Sequence, residues 1–365
     1  MYFETDYCNH NTKFRSPLFR SCQIETFDEL TLKLFEIFPL AVKYENWDNN
    51  RNPCHIFIKL NNLEKLKQIL KIDNNLLNNK DKFGHSPFHE ACIQQNLEII
   101  KYLMQQKNID INLQNRNGFS PLHIVCELCN FILIKNFIKR KDTKLLIKDE
   151  LDRIPLYYFI QSYAKNFSQE NNHDNFLDII NLFSSKDNKL FHEKDFYNRT
   201  LLHTIISPET KNTYLINLIL EKSFSVINVK DRNRKTASHY AVEFKYYEIV
   251  ELMLIYNGLN INGLDRDGTA AIHTACKLLD EKLFKILCHN KSTNVNLRNK
   301  NGYSLIMIAI EHCKSETDLL FLLKLLKFII KRSPYQILIK TVDQNDAILM
   351  FEKKFSNSLF IDKAF

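Results

Sequence analysis

The apolar residues of this chain fall in short clusters with helical spacing, separated by polar turns. "LEIIKYLM" at 97–104 sets its apolar residues on one face and predicts a short amphipathic helix. "HEACIQQ" at 89–95 predicts another short helix before it, and "DKFGHSP" at 81–87 reads as a polar turn around a glycine. "IDINLQ" at 109–114 alternates apolar and polar positions, as an extended link does. Turn, helix, helix and link together fill 34 residues, after which the pattern begins again.

The repetition can be followed along the chain. "HSPFH" at 85–89 returns as "FSPLH" at 119–123. One step of 34 back from His89 reaches His55, and one step forward from His123 reaches Tyr157. A longer step of 46 reaches His203, then 36 reaches His239, 34 reaches His273 and 34 more reaches Met307. Eight repeats are in register, and a ninth, degenerate one ends at Phe19 in "SPLF". Eight positions before the reference residue stands Asp81, Asp149, Asp195, Asp231 or Asp265, with Asn115 and Asn299 in the same slot. Five before it stand Gly84, Gly118, Gly268 and Gly302, four of the six glycines, where a tight turn calls for positive φ. Three before it stand Ser86, Ser120, Thr200, Thr236 and Ser304, and two before it stand Pro87, Pro121 and Pro155, the first two of them directly after the serine. A capping hydroxyl followed by proline is a helix start.

The register resembles the ankyrin repeat, with "SPFHEA" and "SPLHIV" close to its T-P-L-H-x-A core. The likeness is clear over about 47–310 and looser over about 11–350. Ile154 and Ala270 depart at the cap, Tyr157 and Met307 at the histidine, and Trp47 at the aspartate. The resemblance implies an all-α fold, an ankyrin-repeat solenoid of helix-turn-helix units with protruding turn or hairpin loops. It implies a structural role for His55, His89, His123, His203, His239 and His273, each bonding backbone of a neighbouring turn. Three segments are expected: an N-terminal capping segment, 1–46; an array of eight repeats, 47–332; and a C-terminal capping tail, 333–365. The longer fourth repeat is read as carrying a loop insertion near 162–175, rich in Asn and Ser.

Candidate chemistry changes this picture little. His89, Glu90 and Cys92 could make a reactive or metal site, but a histidine copied into six repeats is architecture rather than a special group. Cys92, Cys126 and Cys276 share one slot and read as packing residues. "CELC" at 126–129 lacks the second pair of a zinc site, and neither phosphate-binding glycine motif occurs, so no enzyme activity, cofactor or metal is expected. The start of the chain has no secretory pattern, "LLFLLKLLKFII" at 319–330 is too short to span a bilayer, and nine scattered cysteines argue against a disulfide framework. The expectation is an intracellular, cytoplasmic protein, with the nucleus left open.

Net charge is +8, from 50 basic and 42 acidic residues. Much of the excess falls on the turns. Lys82, Arg116, Arg153, Arg199, Arg232, Lys235, Arg266 and Lys300 stand there against Glu150 and Asp267, interleaved with Phe83, His85, Phe119, Phe196, Tyr197 and Tyr303. Arginine and aromatic residues are enriched where proteins bind one another, and a basic rim steers an acidic partner. Family resemblance implies a protein-protein interaction adaptor or scaffold that grips through turn tips and first helices. The alternatives are a stoichiometric inhibitor of a partner protein, a microbial or viral effector redirecting a host enzyme, and, behind these, nucleic-acid binding, for which the chain has no dedicated motif.

Overall fold

In the computed structural model, residues 48–166, 173–208, 210, 212–332 and 346–355 are described. The expected N-terminal cap, residues 167–172 of the inserted segment and the tail around "SPYQILIK" lie outside them. Among the described residues there are α-helices and short 3-10 turns and no strand. Eight helix pairs follow in order. They are α1 (Pro53–Lys59) with α2 (Leu63–Ile72), α3 (Pro87–Gln94) with α4 (Leu97–Met104), α5 (Pro121–Glu127) with α6 (Phe131–Lys139), and α7 (Pro155–Asn166) with α8 (His173–Lys186). Then come α9 (Leu201–Ile205) with α10 (Thr213–Lys222), α11 (Ala237–Glu243) with α12 (Tyr247–Ile255), α13 (Ala271–Lys277) with α14 (Glu281–His289), and α15 (Leu305–His312) with α16 (Glu316–Arg332). A last helix, α17, spans Ala347–Phe355.

Each helix starts for a local reason. Asn62, Asn96, Asn130 and Asn212 accept a backbone N–H of the first turn of the second helix of a pair, which satisfies a donor that the helix cannot. Proline stands at the start of α1, α3, α5 and α7. The first helices are too short to be stable in isolation, and packing holds them. Phe88, Ala91, Cys92, Val125, Cys126, Ala275 and Cys276 are fully buried.

The chain forms two compact units, Met1–Ser162 with Gln169–Phe183, and Tyr163–Ser168 with Ser184–Phe365. In the first unit α3 packs between α1 and α5, and Phe88 meets Phe137 at 5.6 Å between ring centroids. In the second, α11, α13 and α15 pack in sequence, and α17 lies against α15 where the first helix of a further repeat would stand. Lys354 Nζ donates to the Ile310 carbonyl at 2.7 Å and also to that of Glu311, two acceptors at the C-terminal end of α15.

The expected loop insertion near 162–175 is helical at both ends, and its middle, 167–172, lies outside the described residues. Residues 162–166 continue α7 and 173–175 open α8. No Gly or Pro breaks "YYFIQSYAKN", and its apolar spacing continues to Tyr163, only 2% exposed.

Asparagines tie the repeat ends together. In the first unit Asn78 Nδ2 donates to Asn108 O at 2.7 Å while its Oδ1 accepts Asp110 N–H, and Asn112 makes the same pair of bonds to Asp142 O and Lys144 N. In the second unit Asn228 bridges to Gly258 O and Asn260 N, and Asn262 to Ser292 O and Asn294 N. These bonds satisfy backbone groups that no strand ladder serves.

Candidate functional site

The turns are built alike, beginning with the acidic slot. Asp81 Oδ1 accepts the N–H groups of Phe83 and His85, both at 2.8 Å, and Asp149, Asp195 and Asp265 close their turns in the same way. Asn115 and Asn299 do so through Oδ1. Gly84, Gly118, Gly268 and Gly302 have φ between +73 and +79. A Cβ on Gly84 would stand 2.6 Å from Arg116 N, and one on Gly268 2.8 Å from Lys300 N. Asp152, Asn198 and Arg234 fill this slot with φ of 57 to 59, the left-handed region at a cost glycine avoids.

Neighbouring turns are bonded through their backbones. Arg116 N–H donates to Phe83 O at 3.0 Å and Glu150 N–H to Asn117 O at 3.1 Å in the first unit. Arg232, Arg266 and Lys300 N–H donate to Tyr197, Asn233 and Asp267 carbonyls at 2.9, 2.8 and 3.0 Å in the second. The histidines add a second rung. His55 Nε2 meets His85 O at 2.9 Å, His89 Nε2 meets Phe119 O at 2.9 Å and His123 Nε2 meets Arg153 O at 3.2 Å. His203, His239 and His273 reach Lys235 O, Thr269 O and Leu297 O. A carbonyl only accepts, so Nε2 carries the proton and Nδ1 receives the hydroxyl of Ser86, Ser120, Thr200 or Thr236. Burial holds all six rings neutral, pulling the pKa of His89 down to about 3 and those of His55, His123, His203 and His273 to about 4, with His239 lowered too.

The residue after the glycine slot is half-buried in six turns of seven, and in five of the six its carbonyl meets the histidine of the preceding repeat. This corrects the reading of several of these residues as free tips. His85 meets Asn115 Nδ2 at 3.0 Å and stacks on His89. Phe119 stacks on His123 and meets Tyr158 edge-on at 4.8 Å. Arg153 is ion-paired to Asp149 at 2.9 Å and lies over Tyr158. Lys235 is paired to Glu243 at 2.7 Å. Tyr303 is half-buried.

The exposed tips then divide sharply between the units. In the first unit Lys82, beside Phe83, and Arg116 are offset by exposed Glu150 and Asp152. In the second unit Arg199, Arg232, Arg234, Arg266 and Lys300 are exposed against Asp267 alone. Phe196 and Tyr197, 41% and 45% exposed, meet edge-on at 5.3 Å. The Arg232 guanidinium lies 3.7 Å from the Phe196 centroid, and Arg199 lies 5.3 Å from that of Tyr197 and 6.0 Å from that of Tyr240. Tyr240 donates to Asp231 at 2.6 Å, and burial followed by that bond pushes its hydroxyl pKa up to about 12. Tyr240 and Arg234 were missed in the sequence. Tyr240 shares the slot of Tyr158, one past the reference residue, and Arg234 was hidden in the slot assigned to glycine.

Elsewhere the chemistry is quiet. Burial pushes the thiols of Cys92, Cys126 and Cys276 up, and that of Cys129 to about 12, so none is a ready thiolate. Among the described residues no three His, Cys, Asp or Glu side chains are placed to hold a metal, and no helix is long and apolar enough to cross a membrane.

A sequence model of ankyrin repeats matches the chain three times, over residues 23–115, 54–149 and 167–265. The chain belongs to the ankyrin repeat family. It is 30% identical over 111 residues to an I-kappa-B like protein C1 of Microplitis demolitor bracovirus, covering 30% of this chain and 64% of that protein. It is 35% identical over 88 residues to the nuclear factor NF-kappa-B p105 subunit of Gallus gallus, 24% of this chain and 9% of that one. The chain thus spans less than two thirds of either relative. A chain in the solved complex of a predatory endopeptidase from Bdellovibrio bacteriovorus with its immunity protein matches with TM-score 0.45 and 18% identity, over 56% of this ankyrin chain and 97% of that one.

Proposed function

We propose that this ankyrin protein is a non-catalytic protein-interaction module whose recognition surface is the cationic and aromatic set of turn tips in the second unit, and that its partner presents an acidic segment there. The observation that carries this reading is the local imbalance of five exposed cations against Asp267, gathered around the exposed rings of Phe196 and Tyr197. Arg232, Arg234, Arg266 and Lys300 have no ion-pair partner among the described residues. Fixed cations of this kind raise the encounter rate with an acidic surface, and exposed aromatic rings supply anchoring area at low entropic cost. Membership of the ankyrin family supports an interaction role over a catalytic one.

The test is affinity capture with the wild-type protein and with a triple variant, Arg199→Glu, Arg232→Glu and Arg266→Glu, checked for an unchanged unfolding midpoint. Proteins held by the wild type should be lost by the variant and should elute as salt rises. Release of the captured proteins by a short duplex oligonucleotide at physiological salt would move the reading to nucleic acid. Undiminished capture by the folded triple variant would overturn it.

A further inference from the structure

Three cations of the second unit occupy one slot in consecutive repeats, Arg232, Arg266 and Lys300, and Phe196 holds that slot in the preceding turn. Their backbones are linked turn to turn by Arg232 N to Tyr197 O, Arg266 N to Asn233 O and Lys300 N to Asp267 O. Each turn is also closed on itself, as Asp265 N to Thr269 O closes the turn of Arg266. Packed first helices have an interaxial spacing of about 8–10 Å, which sets the pitch of the turns they carry. The cations are therefore rungs of a ladder about 8–10 Å apart. A carboxylate level with a rung can pair with it at hydrogen-bond distance, whereas one midway stands about 4–5 Å from each and pairs with neither, so the ladder reads spacing as well as charge.

We infer that the second unit binds an extended acidic segment in the polyproline II conformation, with a carboxylate at every third residue facing Arg232, Arg266 and Lys300 and an apolar side chain one turn further on, against Phe196 and Tyr197. The inference rests on the proposed function of the same tips and adds the conformation and period of what they hold. A polyproline II chain has three residues per turn and a rise of about 3.1 Å, so every third side chain returns to one face about 9.3 Å on, close to the pitch of the ladder. In a β-strand, residues three apart point to opposite faces and cannot all meet one row of cations. Arg232, leaning on Phe196 at 3.7 Å, joins the charged rungs to the aromatic end. Arg199 and Arg234 flank the row, and the residues that follow the rungs, Asn233, Asp267 and Asn301, are polar. Asp267 penalises an acid out of register.

The experiment uses the full chain and labelled peptides of about twelve residues, rich in proline. One carries Glu at every third position with Phe one turn beyond. A second has the same composition with its Glu residues adjacent, and a third is a helical peptide with Glu every seventh residue. The period-three peptide should bind at least about fivefold tighter than the clustered one, the scale of a few exposed ion pairs. R266E should erase that preference, and replacing the middle Glu of the peptide by Lys should restore binding to R266E. I255D, on an outer helix, should change nothing. Equal affinity for the period-three and clustered peptides, both lost in R266E, would overturn the spacing while leaving the acidic-partner reading intact. Tightest binding by the helical peptide would overturn the conformation. No binding of any acidic peptide would overturn the inference, and the capture experiment with the triple variant would then decide the proposed function separately.

Discussion

The two compact units use one turn scaffold for two surfaces. Each has three bridging histidines in consecutive repeats, His55, His89 and His123 in the first and His203, His239 and His273 in the second, followed by a repeat with another residue, Tyr157 or Met307. Asparagines bridge the repeat ends in both. Only the outward positions differ. The first unit turns Phe119 inward on His123 and Arg153 on Asp149, leaves Phe83 exposed, and offsets its two exposed cations with Glu150 and Asp152. The second turns Phe196, Tyr197 and five cations to solvent. In a repeat fold the groups that close each turn are fixed by backbone hydrogen bonding, and the tips are left to vary with the partner.

If the scaffold is common, acid should break both units alike, and this is the largest effect expected. Folding lowers each bridging histidine below its ordinary 6.5, to about 4 at His123 and His203. The folded protein keeps these rings neutral, while the unfolded chain takes up protons below about pH 6.5. The stability is thus full above about 6.5, falls as pH drops toward about 4, and levels off below that. Each histidine contributes about 1 kcal/mol per pH unit in that window, so the six together should lose on the order of 10 kcal/mol by pH 5, enough to unfold a marginal protein. Urea unfolding at pH 7, 6 and 5 should show midpoints dropping steeply; a constant midpoint would contradict the neutral ladder.

Single histidine variants sharpen the same comparison. His123→Ala and His273→Ala each strand a buried carbonyl and a capping donor, and should each cost about 1–3 kcal/mol. A cost confined to one unit would show that the ladders are not equivalent. A smaller contrast lies at the caps. Ser120 Oγ is bonded to His123 Nδ1 at 2.8 Å, and Ser120→Ala should cost about 1 kcal/mol. Ser304 N–H points at Met307 Sδ, 3.5 Å away, and its buried hydroxyl has no hydrogen-bond partner among the described residues, so Ser304→Ala should be neutral or slightly stabilising. Chemical denaturation of both variants checks the difference, and equal losses would mean that Ser304 is served as Ser120 is.

The repeat was legible because its markers are constrained by physics: a histidine that must reach a neighbouring carbonyl, an Asp or Asn that closes the turn, a glycine where Cβ would strike backbone. The asparagine bridges at Asn78, Asn112, Asn228 and Asn262 were not read, although they keep the same register, because asparagine is common throughout this chain. The helical ends of the fourth repeat were masked by polar residues around Tyr163, whose burial is a tertiary fact. Charge on the tips was visible, but its availability was not. Arg153 and Lys235 look like tips in sequence, and only packing brings Asp149 and Glu243 to their ends. The left-handed Arg234 was invisible for the opposite reason, since a slot read as glycine tolerates it.

The most direct test sets the two rims against each other in one binding measurement. With a captured partner in hand, its affinity is compared for the double reversals Lys82→Glu with Arg116→Glu and Arg232→Glu with Arg266→Glu. All four side chains are exposed, so each substitution should alter stability by no more than about 0.5 kcal/mol. The account predicts that the second pair weakens binding about tenfold or more, mainly through slower association that salt abolishes, while the first pair changes it less than about twofold. Equal losses from the two pairs, or a greater loss from the first, would contradict the assignment of recognition to the second unit.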